Sequence, residues 1–287
     1  MGNQSASQLE LFTASSGRDL VTFRDDIDIM SLPFFSLSKT PQHTAMVYER
    51  DRAGRRVYIR VTAGEAGIAS VWDGDILMYL RTVLIDGMNR GEQTSNRVRF
   101  VVGDYLRSTG KGCGGADYEK FLAALKRLQN TTVFTNITTG DEVVDQGFGW
   151  IQGFMFPRRK TSLGADVMTA CEITLSDWFY RLVVTSGRAI SVDPVYFRIL
   201  GGIERKLFLI ARKHVGNQST WSVNLTTLYE NIGAQVPLRR FKFELGKIID
   251  RGSLPHYEIE MVQELTLVGG RARKRRDTKV VFRPKRS

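Results

Sequence analysis

"TTLYENIGAQVPLRRFKFELGKIIDRG", Thr226 to Gly252, holds two short helices separated by a turn. The first runs from Thr226 or Thr227 to Ile232, and Gly233 ends it. Pro237 starts the second, which continues to Asp250. A proline in the first helical turn sacrifices no hydrogen bond, and a glycine past the last turn supplies the left-handed conformation that stops a helix. In the second helix Leu238, Phe241, Leu245, Ile248 and Ile249 recur at the spacing of one buried stripe. Arg239, Arg240, Lys242, Gly246 and Lys247 lie off that stripe. A short helix, a tight turn and a helix with a basic open side is a helix-turn-helix pattern, whose second helix can enter a major groove.

Upstream, "DPVYFRILGGIERKLFLIARKHVG" reads as a long helix from Pro194 to about Val215, with a bend expected at Gly201–Gly202, and "TWSVNL" as a short strand. Downstream, "LPHYEIEMVQELTLVGGRARKRRDTKVVFRPK" reads as two strands around a basic loop. Long helix, short strand, short helix, turn, helix and hairpin is the order of a winged helix.

The same order occurs earlier in the chain. "RRVYIRVTA" (Arg55 to Ala63) is a strand. "WDGDILMYLRTVLIDGMNRG" is a helix capped near Asp73 or Asp75, with Ile76, Leu77, Leu80, Val83 and Leu84 at helical spacing and Gly91 as its stop. Val98 to Val102 is a short strand, and "VGDYLRST" a short helix with Tyr105 and Leu106 facing inward. After "STGKGCGG" a helix from about Ala116 to Leu128 places Tyr118, Phe121, Leu122, Leu125 and Leu128 on one face. "NTTVFTNITTGDEVVDQGFGWIQGFMF" alternates and turns like a β-hairpin. "TACEITLSDWFYRLVVTSG" adds a strand and a helix capped by Ser176 or Asp177, closing the unit near Gly187. The expected fold class is α+β: two tandem winged-helix domains with an N-terminal arm. Residues 1–55 form the arm, partly docked through Ile29, Met30, Leu32, Phe34 and Phe35. Residues 56–187 form the first domain, and residues 188–287 the second, with its basic wing and tail.

Other motifs fall away. A phosphate-binding loop needs G-x-x-x-x-G-K-[ST] between strand and helix. Here the glycine before Gly110 is Gly103, two residues too far, and Gly112 follows Lys111 where a hydroxyl is required. The cluster reads as the turn of a helix-turn-helix. Asp25, Asp26 and Asp28 read as solvated loop acids rather than metal ligands. Cys113 and Cys171 read as plain thiols, one in a loop and one in a strand. His43, His214 and His256 are far apart and build no metal or nickase motif. No cofactor, metal or catalytic residue is expected. The opening Met-Gly lacks the Ser or Thr that myristoylation wants at Ala6, no signal peptide is visible, and no apolar run reaches the ~20 residues of a membrane helix. A cytoplasmic setting without membrane partners follows.

Charge points to a polyanion. From Gly269 to the end the chain carries nine basic residues against Asp277, a net +8 of the whole chain's +11. Arg271, Arg273, Lys274, Arg275 and Arg276 fall in the predicted wing, where they can grip phosphates. Arg239, Arg240, Lys242 and Lys247 on the second helix of the same module can reach base edges. The matching helix of the first unit is nearly balanced: Lys120, Lys126 and Arg127 share it with Asp117 and Glu119. That suits a weaker DNA contact or a protein–protein face, with Arg158, Arg159 and Lys160 able to touch phosphate.

The arm "DIMSLPFFSLSK", the middle "VRFVVGDYLRSTG…YEKFLAALKRLQNTTV…GFGWIQGF" and the closing "IERKLFLIARKH…LYENIGAQVPLRRFK" resemble bacterial plasmid replication initiators of the replication initiator A type, over nearly the whole chain. The resemblance implies a protein that binds repeated sites (iterons) in double-stranded DNA at a plasmid origin, helps melt an adjacent stretch and recruits host replication proteins, a helicase or its loader. It implies a second domain that is the main reader and a first domain used for dimerisation or extra DNA contact, with repression of its own promoter by the dimer. Carried onto this chain, the readers are Arg239, Arg240, Lys242 and Lys247, the wing is Arg271 to Arg276, and Lys111 and Lys120 are the first-domain counterparts. The alternative is a winged-helix transcriptional repressor with no replication role.

Overall fold

The computed structural model describes residues 11–15, 20, 22–52, 54–137, 144–160, 166–168, 170–185, 187–268 and 271–285; at 52, 55, 158–160, 166–168, 264–268 and 271–277 the description is of the backbone. The chain begins with β1 (Leu11–Thr13), β2 (Phe23–Asp26) and the short helix α1 (Ile27–Ser31), then the hairpin β3 (Met46–Arg52) and β4 (Arg55–Thr62). Helix α2 (Gly74–Asn89) leads to β5 (Arg97–Phe100), α3 (Val102–Ser108) and α4 (Gly115–Asn130). Six short strands and a helix follow: β6 (Thr132–Thr135), β7 (Gln146–Gly149), β8 (Ile151–Met155), β9 (Arg158–Lys160), β10 (Asp166–Met168), β11 (Cys171–Leu175) and α5 (Asp177–Thr185), then β12 (Ala189–Val192). The second unit is α6 (Gly202–Val215), β13 (Trp221–Asn224), α7 (Leu225–Ile232), α8 (Leu238–Arg251), β14 (Tyr257–Val268) and β15 (Arg271–Pro284).

Two of the sheets share one topology. In the second unit the order is β13-β15-β14; in the first it is β5-β11-β8, with β1 added in parallel at the β5 edge. In each unit the strand after the long helix pairs with the last strand of the hairpin. The structure is therefore α+β with two winged helices, but the first wing is not where the sequence pattern put it. β6 and β7 do pair as a hairpin, yet they belong to a separate sheet of order β3-β4-β6-β7. The first wing is β8–β9 returning as β10–β11: Glu172 pairs with Met155 and, further out, Met168 pairs with Arg158. The chain changes sheets at Trp150, which is fully buried and stacks on Phe35 at 4.7 Å. Arg158, Arg159 and Lys160 are thus in the wing itself.

Four further expectations change. The stretch from Pro194 is not one bent helix: a 3-10 turn (Pro194–Arg198) is separated from α6 by Ile199–Gly201. Arg205 takes the carbonyls of Ile199 (2.8 Å) and Phe197 (3.0 Å) that a continuous helix would have used. A Cβ on Gly202 would stand 2.0 Å from the Leu37 carbonyl, so the arm occupies the space where a side chain would begin. Asp73 stands at the N-cap of α2 as expected, but its side chain makes no capping bond; it accepts from Ser70 and from both Nε and Nη2 of Arg127, and Asp75 turns inward. The region expected as arm up to residue 55 contains a real strand, β3, hydrogen-bonded along β4. Asp25 and Asp26 are buried, not solvated loop acids: Asp26 caps α1 by accepting from the Asp28 N–H at 2.8 Å, Asp25 pairs with buried Arg81, and Asp28 bridges to Arg188 at 3.1 Å.

The arm is a wedge between the two units. Met30, Leu32, Phe34 and Phe35 are buried, the last two in a cluster with Trp150 and Trp178. β2 pairs with β12 in the stretch leading to the second unit. Gly233, left-handed at φ +70° at the end of α7, lies so near Pro33 that a Cβ there would meet it at 2.4 Å. Charges cross the joint as well. Asp75 of α2, fully buried, accepts from Arg205 of α6 at 2.7 Å and from Lys111 at 2.8 Å. Lys206 donates to the carbonyls of Ile29 (2.8 Å) and Leu32 (2.6 Å). Desolvation lowers the Lys206 amine to about 7 and raises the Asp25 carboxyl to about 6, against the pull of Arg81.

Candidate nucleic-acid interface

In α8, Phe241, Leu245 and Ile248 are buried and seat the helix on α7 and the β13–β15–β14 sheet. Burying each of these side chains stabilises the module by roughly 1.5–3 kcal/mol. The stripe is narrower than the spacing suggests, because Leu238 is exposed at the start of the helix and Ile249 half-buried. Everything else follows from that seating. Arg239, Arg240, Phe243 and Lys247 are exposed along the opposite side, and Lys242 is half-buried at its margin.

These residues form two groups. Arg239 and Lys242 line a groove with Thr226 and Thr227 of α7, Leu238, and Thr278 of β15. Lys242 Nζ donates to the Thr278 hydroxyl at 3.2 Å, tying the helix to the base of the wing. The first turns of α7 and α8 open near this groove, and neither has a side-chain cap. Uncapped N–H groups and positive helix ends favour an anion such as a phosphate. The second group surrounds Phe243: Lys247 Nζ is 4.3 Å from the ring centroid and the Arg240 guanidinium 5.6 Å, while Arg240 also pairs with Glu244 at 2.6 Å. Arg239 has no carboxylate within ion-pair range among the described residues.

The wing continues from the same sheet. β14 and β15 pair from Tyr257–Pro284 out to Val268–Arg271, with a shift between Gln263 and Leu265. The basic run was expected in a loop; the backbone places Arg271, Arg273, Lys274, Arg275 and Arg276 within strand β15. Their side chains, and the tip at residues 269–270, lie outside the described residues.

The first-unit candidates stand apart from this face. Lys111 points inward to Asp75 and lies over the rings of Tyr105 (5.1 Å) and Phe197 (5.5 Å). This also disposes of the glycine-lysine loop as a phosphate cradle, since its lysine is held by a buried carboxylate. Lys120 is exposed on α4 and bonds Asp117 at 3.2 Å; Asp117 accepts from the Gly114 N–H at 3.3 Å at the helix start. Phe243 and Thr278 were not singled out from the sequence, and Thr226 and Thr227 were read only as the start of a helix. Phe243 had a signal, an aromatic residue off the buried stripe; the threonines had none.

Cys171 is buried in β11, and desolvation pushes its thiol well above the ordinary range, while Cys113 is exposed in its loop. Among the described residues no three His, Cys, Asp or Glu side chains cluster to hold a metal, and no helix is long and apolar enough to cross a membrane.

With this geometry in place, the sequence pattern of the family described as Replication initiator protein A matches residues 24–259. The chain belongs to that family. A protein of Wigglesworthia glossinidia brevipalpis, described as a candidate replication protein, is 30% identical over 253 residues, covering 87% of this chain and 88% of the relative. Two solved structures of domains 2 and 3 of RctB superpose on this initiator. One has a TM-score of 0.59 at 14% identity, over 90% of this chain and 98% of the other; the second has 0.55 at 15%, over 90% and 96%. At such identities the likeness is one of fold, and it extends across both winged units of the initiator.

Proposed function

We propose that this replication initiator binds repeated duplex sites, the iterons of a plasmid origin, with residues 188–287 as the main reader and residues 56–187 as a dimerisation or auxiliary DNA-contact unit. The observation that carries this reading is the single face formed by α8, the groove at the starts of α7 and α8, and the wing. Arg239, Arg240, Lys242 and Lys247 share the helix, and Arg271, Arg273, Lys274, Arg275 and Arg276 share the strand that continues from Thr278. In this reading α8 enters the major groove, Arg239 bonds guanine, and the α7 and α8 N-termini and the wing hold phosphates. Lys120 adds a phosphate contact from the first unit, whereas Lys111 acts through Asp75 on the joint. The role requires no catalytic group and no cofactor.

Dimerisation is supported by the β3-β4-β6-β7 sheet, whose β3 is an edge strand. Val47, Arg60, Phe134 and Gly147 lie in one row across it, with Val47 and Phe134 exposed. Opening of the origin and recruitment of a host helicase or loader complete the proposal, and the dimer represses the initiator's own promoter.

A nuclease footprint of the purified protein across the DNA flanking its own gene tests this. Several evenly spaced protected direct repeats support the iteron reading. A single protected palindrome over the promoter identifies a repressor instead. No protection at low salt overturns both.

A further inference from the structure

Phe243 is 54% exposed in the middle of the open face of α8, one helical turn after Arg239 and one before Lys247. Residues four apart on a helix are surface neighbours, so the ring stands between the two basic groups that the proposed function assigns to the duplex. Arg240 and Lys247 lie against it and hold it in place, yet leave more than half of it in water.

The helix scaffold does not call for this ring. α4 carries the same buried spacing, Phe121, Leu125 and Leu128 against Phe241, Leu245 and Ile248. The position corresponding to Phe243 in that register is Ala123. A phenyl ring offers nothing to a phosphate or to a base amide. On the base edges of a major groove, the apolar group is the C5-methyl of thymine.

We infer that Phe243 reads the C5-methyl group of a thymine, which makes it a specificity-determining residue of the interface proposed above, on which this inference rests. Arg239 and Lys247 set the register with polar contacts, and Phe243 adds selection for an A·T pair oriented with its thymine toward α8.

Each thymine of one protected repeat is replaced in turn by deoxyuridine, which removes the methyl group and leaves every hydrogen bond. Binding is measured by fluorescence anisotropy with the full chain, for the wild type, Phe243→Ala and Phe243→Leu. One thymine position should lose affinity by about fourfold with the wild type, the factor for one buried carbon group. Phe243→Ala should bind the thymine and deoxyuridine sites equally at that position. Phe243→Leu should keep part of the difference. The side chain is exposed, so an unchanged urea midpoint is expected for both variants and confirms that they fold. If the wild type binds the repeat but tolerates deoxyuridine everywhere, or if Phe243→Ala keeps the full difference, the inference is wrong while the binding function stands. If the wild type binds no duplex, the function itself fails, and the inference with it.

Discussion

The two winged units superimpose in topology and part ways in chemistry. Aligned on their shared stripe, α8 carries Arg239, Arg240, Phe243 and Lys247 where α4 carries Glu119, Lys120, Ala123 and Arg127. Arg127 is spent on a two-pronged bond to Asp73, Lys111 on Asp75, Arg107 on Asp104 and Lys120 on Asp117. In the second unit, Arg239 and Lys247 face water without a carboxylate partner among the described residues. The difference teaches that a count of basic residues says little about a nucleic-acid face. What matters is whether the fold has already neutralised them.

The largest effect should come from the carboxylate that joins the units. Asp75→Ala leaves Arg205 and Lys111 without their buried carboxylate, and about 3–5 kcal/mol of stability should disappear in urea unfolding. A loss below ~1 kcal/mol would mean that the two units hardly depend on this joint, and the contrast between them would reduce to surface charge alone.

Next are the two wings. Replacing Arg273, Lys274, Arg275 and Arg276 by alanine should weaken binding to all duplexes and flatten the slope of log K against log salt by up to about 0.9 per lost phosphate contact. Replacing Arg158, Arg159 and Lys160 should flatten it less. Equal slopes from salt titrations would break the division of labour and make both wings DNA clamps.

Single residues on the helices follow. Arg239→Ala should cost about 1–3 kcal/mol on the specific site and relax sequence choice at one base pair, whereas Lys120→Ala should change affinity by less than ~0.5 kcal/mol and leave specificity intact. Competition binding with single-base variants of the repeat checks both. A larger loss from Lys120 would move the reader to the first unit.

The joint between the units should also make stability depend on pH. Lys206 titrates near 7 in the fold instead of 10.5, so between those values the unfolded chain holds a proton that the folded chain lacks, and stability should rise with pH. Asp25 titrates near 6 instead of 3.8, so between 3.8 and 6 the folded chain holds the extra proton, and stability should fall as pH rises. Melting temperatures across pH 4 to 10 should show both trends. Lys206→Met should remove the rise above pH 7, and Asp25→Asn the fall below pH 6.

Much of the helical part was legible because it is local. Tyr105, Leu106, Phe121, Leu125 and Leu128 are buried or pack inward as their spacing requires, and Gly233 and Pro237 bound their helices as their backbone preferences dictate. The strands were less legible. Residues 132–149 alternate like a wing, and nothing in that alternation says whether their partner is β4, some seventy residues earlier, or β11. The candidate site was half legible: the basic positions on α8 follow from the stripe, but the groove with Thr226, Thr227 and Thr278 exists only once α7 and β15 are brought beside it.

By itself the amino-acid sequence determined the helix-turn-helix units, their order and the concentration of positive charge at the C-terminal end, because helical periodicity, glycine and proline punctuation and net charge each act within a few residues. The tertiary structure alone decided which strands make the first wing, that the arm wedges between the units, and which cations remain available. Asp25 and Arg81 are 56 positions apart, and Asp75 and Arg205 are 130 apart. A charge is cancelled, and a strand is paired, by whatever the fold sets within a few ångströms of it, and that neighbour is not written beside it in the chain.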